Sequence, residues 1–402
     1  MQLPRSLTVD LDGLLFGLFC GFAASLPFEL LLEQWFGIDT IFKPFRVLAL
    51  AIIGVYFLKS VLPGKLWTSK DRIDWFLYAV FAYGIAISCI RIVGGNFSLG
   101  LFMNDLFQSG LLVSTFFVFK ATPFSHKQML RMLDFFLLGI SLNAGYILYR
   151  GMANNEWGRQ AGFTDNPNYA AFGLVAAMIY LFLRFGHTRR IREMVAYGIL
   201  AFFLLFAFMA EGSRTGLVVL VLVLGMVFWL QSTKRKILLA GLVLILGVGM
   251  TLRNIGSGAT DGANVLLTRV NRSLVQGEED VRFVIWRGML NVFEDAGYVG
   301  MGIGQFKHRF SFYFEEVTHK TVLEMVNRGY YLSPHNDYLA IVADYGLPGL
   351  IFYLTFLWFA GWKLFEKIRQ PNGENGKKLL IGFQFICFIS IVVFGMAAEN
   401  FR

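Results

Sequence analysis

Residues 194–231 read MVAYGILAFFLLFAFMAEGSRTGLVVLVLVLGMVFWLQ. Two uncharged runs, 194–210 and 215–231, flank the hexapeptide Glu211-Gly212-Ser213-Arg214-Thr215-Gly216. Each is just long enough to cross a hydrocarbon core as a helix, which takes roughly 17–25 residues. Almost no loop joins them. In lipid every backbone N–H and C=O must be satisfied within the segment, so such a pair reads as a helical hairpin across a membrane. Arg214 then sits at or just inside the membrane boundary.

Outward from that hairpin the same texture repeats. Apolar stretches near 11–31, 42–62, 73–93, 99–119, 129–149, 167–185, 236–252, 347–366 and 378–397 join the two above, for about eleven spans. The composition agrees: of 402 residues, 56% are hydrophobic and only 16% charged, with mean hydropathy +0.58. A soluble domain does not carry that balance. The 42 glycines and 43 phenylalanines supply the small and bulky residues that pack membrane helices. The fold class predicted is an all-α polytopic membrane protein of about 11–12 transmembrane helices with one largely helical periplasmic insertion. The C-terminus stops soon after the last span, at Asn400-Phe401-Arg402, so a twelfth span beyond it is an open expectation. No cleavable signal peptide is read, because the first apolar run is long enough to span.

The net charge of +9 is a topology signal rather than a nucleic-acid footprint. Lys59, Lys65, Lys70 and Arg72 follow the second span; Lys120, Lys127 and Arg131 the fourth; Arg184, Arg189, Arg190 and Arg192 the sixth; Lys234, Arg235 and Lys236 the eighth; Lys363, Lys367, Arg369, Lys377 and Lys378 the tenth. Alternate loops are poorer. Lysine and arginine are retained on the cytoplasmic side, so the N-terminus is read as cytoplasmic and 253–335 as the outer region. The domain organisation expected is 1–252 with spans one to nine, a periplasmic region 253–335, and C-terminal spans in 336–402. Cys20, Cys89 and Cys387 all fall in spans and read as buried free thiols.

Polar groups on the outer side are the candidates for chemistry. Arg214 at membrane depth needs an anionic partner; the plain alternatives are a snorkelling arginine or an ion pair with Glu211. Arg159 and Asn168 bracket Gly158 to Asn168 before the sixth span, where Asn-Pro-Asn is equally ordinary turn chemistry. The run 280–290 reads as a helix with Val281, Ile285, Gly288 and Met289 on one stripe. Arg282 and Trp286 share another face; for Arg282 and Arg287 the alternative is a solvated surface. Gly300-Met301-Gly302-Ile303-Gly304 reads as a flexible turn, without the spacing or strand–helix setting of a dinucleotide loop. A helix is expected from near Pro334, with Ser333 as its cap.

His335 is the candidate base. A lone histidine is more often structural, but this one ends a polar loop at a membrane helix and has Asn336 and Asp337 beside it. Imidazole accepts a proton near neutral pH. His308 and His319 read as surface residues, and His126 and His187 fall in cytoplasmic loops. Asp10-Leu11-Asp12 looks like the acidic pair of metal-dependent glycosyltransferases but lies on the cytoplasmic side. Glu278-Glu279-Asp280 and Glu315-Glu316 read as solvated acidic runs. No metal cluster and no cofactor are expected.

Taken in order, Arg159 to Asn168, Ser213-Arg214-Thr215-Gly216, Arg282 with Trp286, Gly300-Gly302-Gly304-Phe306, His335-Asn336 with Tyr338-Leu339, and Gly346-Leu347 resemble the O-antigen ligase and polymerase superfamily of bacterial inner-membrane glycosyltransferases. The resemblance covers roughly the C-terminal two thirds of the chain; the first five spans carry little of it. Ligase members usually have about twelve spans, one more than counted here. The resemblance implies a multi-pass protein of the bacterial inner membrane with a periplasmic active site. It implies an undecaprenyl-diphosphate-linked O-antigen donor and, for a ligase, a lipid A-core acceptor within the phospholipid membrane. In that setting Arg214, Arg282, Arg159 and Arg287 bind the diphosphate and His335 acts on the acceptor. Asn336, Asn168, Trp286 and Asp337 support them. Ligase is the reading preferred, O-antigen polymerase with the same donor the nearest alternative. A transporter of lipid-linked sugars is the alternative of another class, and it predicts internal symmetry that the sequence does not show.

Overall fold

The computed structural model describes residues 5–36, 43–61, 72–94, 97–154, 161–164, 166–188, 190–230, 236, 241, 281–306, 336–369 and 375–396. Twelve helices lie in this set. They are α1 (Arg5–Ser25), α2 (Leu31–Phe36), α3 (Pro44–Val61), α4 (Arg72–Val93), α5 (Leu99–Ala121), α6 (His126–Asn154), α7 (Pro167–His187), α8 (Ile191–Glu211), α9 (Arg214–Leu230), α10 (Val281–Asp295), α11 (Asp337–Arg369) and α12 (Asn375–Gly395). Seven are long and apolar enough to cross a membrane: α6, α7, α8 and α11, and most or all of α4, α5 and α12. The protein is therefore an all-α, multi-pass membrane protein. Ten of the eleven stretches read as spans coincide with a helix; the stretch 236–252 lies outside the described residues, apart from 236 and 241.

The chain forms two compact units. The first gathers Met1–Leu66, Thr115–Gly277 and Glu366–Ser390, the second Trp67–Ser114, Glu278–Phe365 and Ile391–Arg402.

In the first unit α7 is the central helix. Of its most apolar window 72% is buried, against 17–39% for the other six spans. It packs on α6, α8 and α9, while α1 packs on α3 and α6. Its start is determined locally. Asn166 caps it, the side chain accepting from the Asn168 N–H at 2.9 Å, and Pro167 takes the first helical position, where a missing N–H costs nothing. The Asn-Pro-Asn turn is thus a helix start. Asp12, set aside above as a metal ligand, is ion-paired with Lys59.

The second unit is built around a pinned glycine turn. The helix stripe holds: Ile285 and Met289 are buried with Val292, and this cluster continues through Ala296, Met301, Phe306 and Ala343. Trp286 and Leu339 pack against it. The turn after α10 is not the flexible one expected. Met301 N–H donates to Ala343 O and Gly302 N–H to Asp344 O, both at 2.9 Å. The buried Asp344 carboxylate accepts from the N–H groups of Gly304 and Phe306, each at 3.1 Å. Ile303 N–H donates to Ser88 Oγ at 2.9 Å. Every one of these groups would be costly to bury unpaired.

Two further differences from expectation have simple causes. The helix expected from near Pro334 starts at Asp337, but it bends at Gly346. There φ is 66° and ψ −167°, a backbone region essentially open only to glycine. A Cβ at Gly346 would run into the backbone of Val299 and Tyr298. The cap of this helix is Asn336, whose Oδ1 accepts from Leu339 N–H at 3.1 Å; Ser333 and Pro334 lie outside the described residues. Cys89 is exposed on its helix rather than buried, while Cys20 is buried.

Candidate functional site

In the first unit two segments that the sequence singled out separately come together. Asn168, one residue into α7, accepts a hydrogen bond from Ser213 Oγ through its Oδ1 at 3.3 Å. Ser213 caps α9, its Oγ accepting from Gly216 N–H at 3.0 Å. Glu211 is fully buried, and its Oε2 accepts from Ser213 N–H at 2.9 Å. Gly212 ends α8 in the left-handed conformation (φ 76°), which lets the chain reverse within two residues. Arg214 opens α9 from this turn and is half-buried. The hexapeptide is therefore a rigid corner, with a guanidinium projected from a helix start at the boundary of an apolar bundle.

The same end of the unit carries unused hydrogen-bonding capacity. Asn143, 1% exposed in α6, accepts from Phe163 N–H at 2.8 Å. Phe163 stacks on Tyr146 with ring centroids 3.9 Å apart. The Nδ2 groups of both Asn143 and Asn168 are buried with no hydrogen-bond partner among the described residues. An unpaired buried amide costs about 1–3 kcal/mol. One of them, Asn168, sits at the Arg214 corner, and the other, Asn143, lies beside Phe163. Asn143 escaped the sequence reading, although a polar amide inside an apolar span was the available signal.

The second unit holds most of the remaining candidates. Asn336 uses both ends of its amide, capping α11 and donating through Nδ2 to Met396 O at 2.9 Å. Asp337 is 1% exposed. Tyr338, next in the chain, donates its hydroxyl to Val392 O at 3.0 Å. These bonds fix the start of α11, the point at which His335 joins it. Trp286 is half-buried against the core of this unit, and Arg287 is exposed on the opposite side of α10. Arg282 is on the first turn of α10, its side chain outside the described residues, as are Arg159 and His335. The structure thus joins Asn168 to the Arg214 corner and separately orders the turn carrying Asn336 and Asp337.

Arg91 was missed by the sequence reading. Its Nη2 donates to Ala296 O at 2.6 Å and its Nε to Gly300 O at 3.1 Å. A guanidinium on carbonyls just past the end of α10 satisfies acceptors that the helix cannot, and suits the negative end of its dipole.

Residues 199–354 match the family model described as O-antigen ligase. Over that segment the chain is similar to the O-antigen ligase family. The matched segment runs from within α8, through the Arg214 corner and α10, to the bend of α11 at Gly346. It supports a ligase- or polymerase-type activity, a glycosyltransferase-like reaction at a membrane. No curated protein matches the chain.

Proposed function

We propose that this protein is an O-antigen ligase. It moves a finished O-polysaccharide from undecaprenyl diphosphate to a sugar of lipid A-core at the periplasmic face of the bacterial inner membrane. The observation that carries the proposal is the Arg214 corner: a half-buried arginine opening an apolar helix from a turn that Glu211 and Asn168 hold through Ser213, inside the segment that matches the family model.

Breaking an anomeric C–O bond to a diphosphate leaves growing negative charge on the leaving oxygens. A positioned guanidinium binds such oxygens bidentately and is worth most where water is scarce. In this proposal Arg214 takes the diphosphate at the depth where a polyprenyl tail leaves it. Arg282, Arg159 and Arg287 complete the charge, without a divalent cation. His335 accepts the proton of the acceptor hydroxyl, late, as the new C–O bond forms. One direct displacement inverts the anomeric centre. Asn168 with Asn143 presents amide N–H groups to substrate.

The test is transfer in proteoliposomes with purified lipid-linked O-polysaccharide, lipid A-core and a chelator. Glycan should appear on lipid A-core, and His335→Ala should abolish it while the protein remains folded in the membrane. Extension of the lipid-linked glycan instead would make the protein a polymerase. Glycan movement across the bilayer without a new glycosidic bond would make it a transporter.

A further inference from the structure

We infer that the first unit holds, at the end opposite the Arg214 corner, a binding site for an anionic phospholipid. A cavity of about 480 Å³ opens there, within the size range of small-molecule sites. Its polar lining includes His126, His187, Lys367, Lys377 and Lys378, and among the described residues no carboxylate lines it. These residues come from the loops after the fourth, sixth and tenth spans, and Leu230 adds the end of the eighth. The lysine and arginine pattern assigns all four to the cytoplasmic side. Asn168 and His187 lie near opposite ends of α7, 19 residues apart. At 1.5 Å per residue that separation is roughly 29 Å, the thickness of a hydrocarbon core.

The neighbouring cavity, of about 350 Å³, shows what a compensated site looks like. Its Arg184 is bonded to the Asp134 carboxylate at 3.2 Å, and its Arg190 to Glu193 at 3.1 Å. By contrast, among the described residues Lys367, Lys377 and Lys378 are paired with no carboxylate. Three uncompensated ammonium groups around one cavity repel each other unless an anion sits among them. The other wall is hydrocarbon. A Cβ on Gly382 would meet Leu183 and Leu230 at 3.6–3.8 Å, so α7, α9 and α12 close the floor with apolar side chains. Trp229, 59% exposed beside Leu230, sits where an indole marks the headgroup level. A phosphodiester headgroup among the cations, with acyl chains running along α9, satisfies both walls. Free phosphate would satisfy only one. Basic pockets between helices on the cytoplasmic side are suited to such headgroups. The site stands whether or not the transfer chemistry is as proposed.

Native mass spectrometry of the full chain, delipidated in detergent, tests this with dioleoylphosphatidylglycerol, dioleoylphosphatidylcholine and sn-glycerol 1-phosphate as probes. Phosphatidylglycerol should bind as one copy, and the K367Q/K377Q/K378Q triple variant should bind it at least about tenfold more weakly. Lys127→Gln, which removes an exposed cation from the same end but not from the cavity, should bind as the parent does. Equal retention of phosphatidylcholine, unchanged binding by the triple variant, or equal loss with Lys127→Gln would overturn the site. Glycerol phosphate binding as tightly as the lipid would replace it with a site for soluble phosphate. The substituted lysines are exposed, and a melting temperature near that of the parent establishes that the variant is folded.

Discussion

The Arg214 corner and the glycine turn at 300–304 look alike in sequence, each a short polar or glycine-rich break beside apolar helices. In the structure they are opposites. At the glycine turn the account closes: Asp344 takes the N–H groups of Gly304 and Phe306, and Gly302 and Met301 bond across to α11. At the corner it stays open among the described residues, with Asn168 Nδ2 buried and without a partner, as is Asn143 Nδ2 beside Phe163. A motif whose polar groups are all satisfied internally holds the fold together. One that leaves donors unpaired beside a buried cation-bearing turn is arranged for a ligand. The contrast separates two kinds of motif that sequence similarity alone treats as equal.

Four substitutions would break or sharpen that contrast. The largest effect is expected at Arg214→Lys, which keeps the charge but loses the planar fork. Transfer should fall about 10²–10³-fold, the size of losing a preorganised anion donor, with little change in detergent melting temperature. Full turnover in this variant would remove the diphosphate clamp. Gly346→Ala should act the other way. Its left-handed backbone and the Val299 backbone leave no room for a methyl group, so stability should fall by about 3 kcal/mol, read as a lower melting temperature. A variant as stable as the parent would show that the bend does not need glycine.

Asp344→Asn should cost about 2 kcal/mol, because an amide offers one acceptor oxygen to two N–H groups that the carboxylate now satisfies. Unaltered thermal unfolding would mean the turn is held by its backbone bonds alone. Asn168→Ala has the smallest effect. A roughly tenfold loss of transfer, about 1.4 kcal/mol in the barrier, is expected, with stability changed by less than about 1 kcal/mol. A large drop in melting temperature with normal activity per folded molecule would place Asn168 with the glycine turn, as part of the fold.

Much of this architecture is written locally. Apolar runs of spanning length need no tertiary information, since a chain in lipid has no choice but helix; hence ten of them coincide with helices, seven long and apolar enough to span. The Arg214 corner is legible for the same reason, because two spans leave four residues, 211–214, between them. What could not be read were pairings between distant segments. The glycine turn passes for a flexible loop until Asp344, forty positions later, is brought against it. The bond that anchors the start of α11 joins Asn336 to Met396, sixty residues away, and no local pattern records it. Arg91 looks like one more cation in a span until it is set against carbonyls of residues 296 and 300.

By itself, then, the order of residues determined that the chain is helical and crosses a membrane many times. These follow from transfer of side chains and backbone between water and hydrocarbon, a property of each short segment. Only the tertiary structure decided which polar groups are satisfied and which are left open. Hydrogen bonds act over about 3 Å, and a chain records no distance between residues that folding alone makes neighbours.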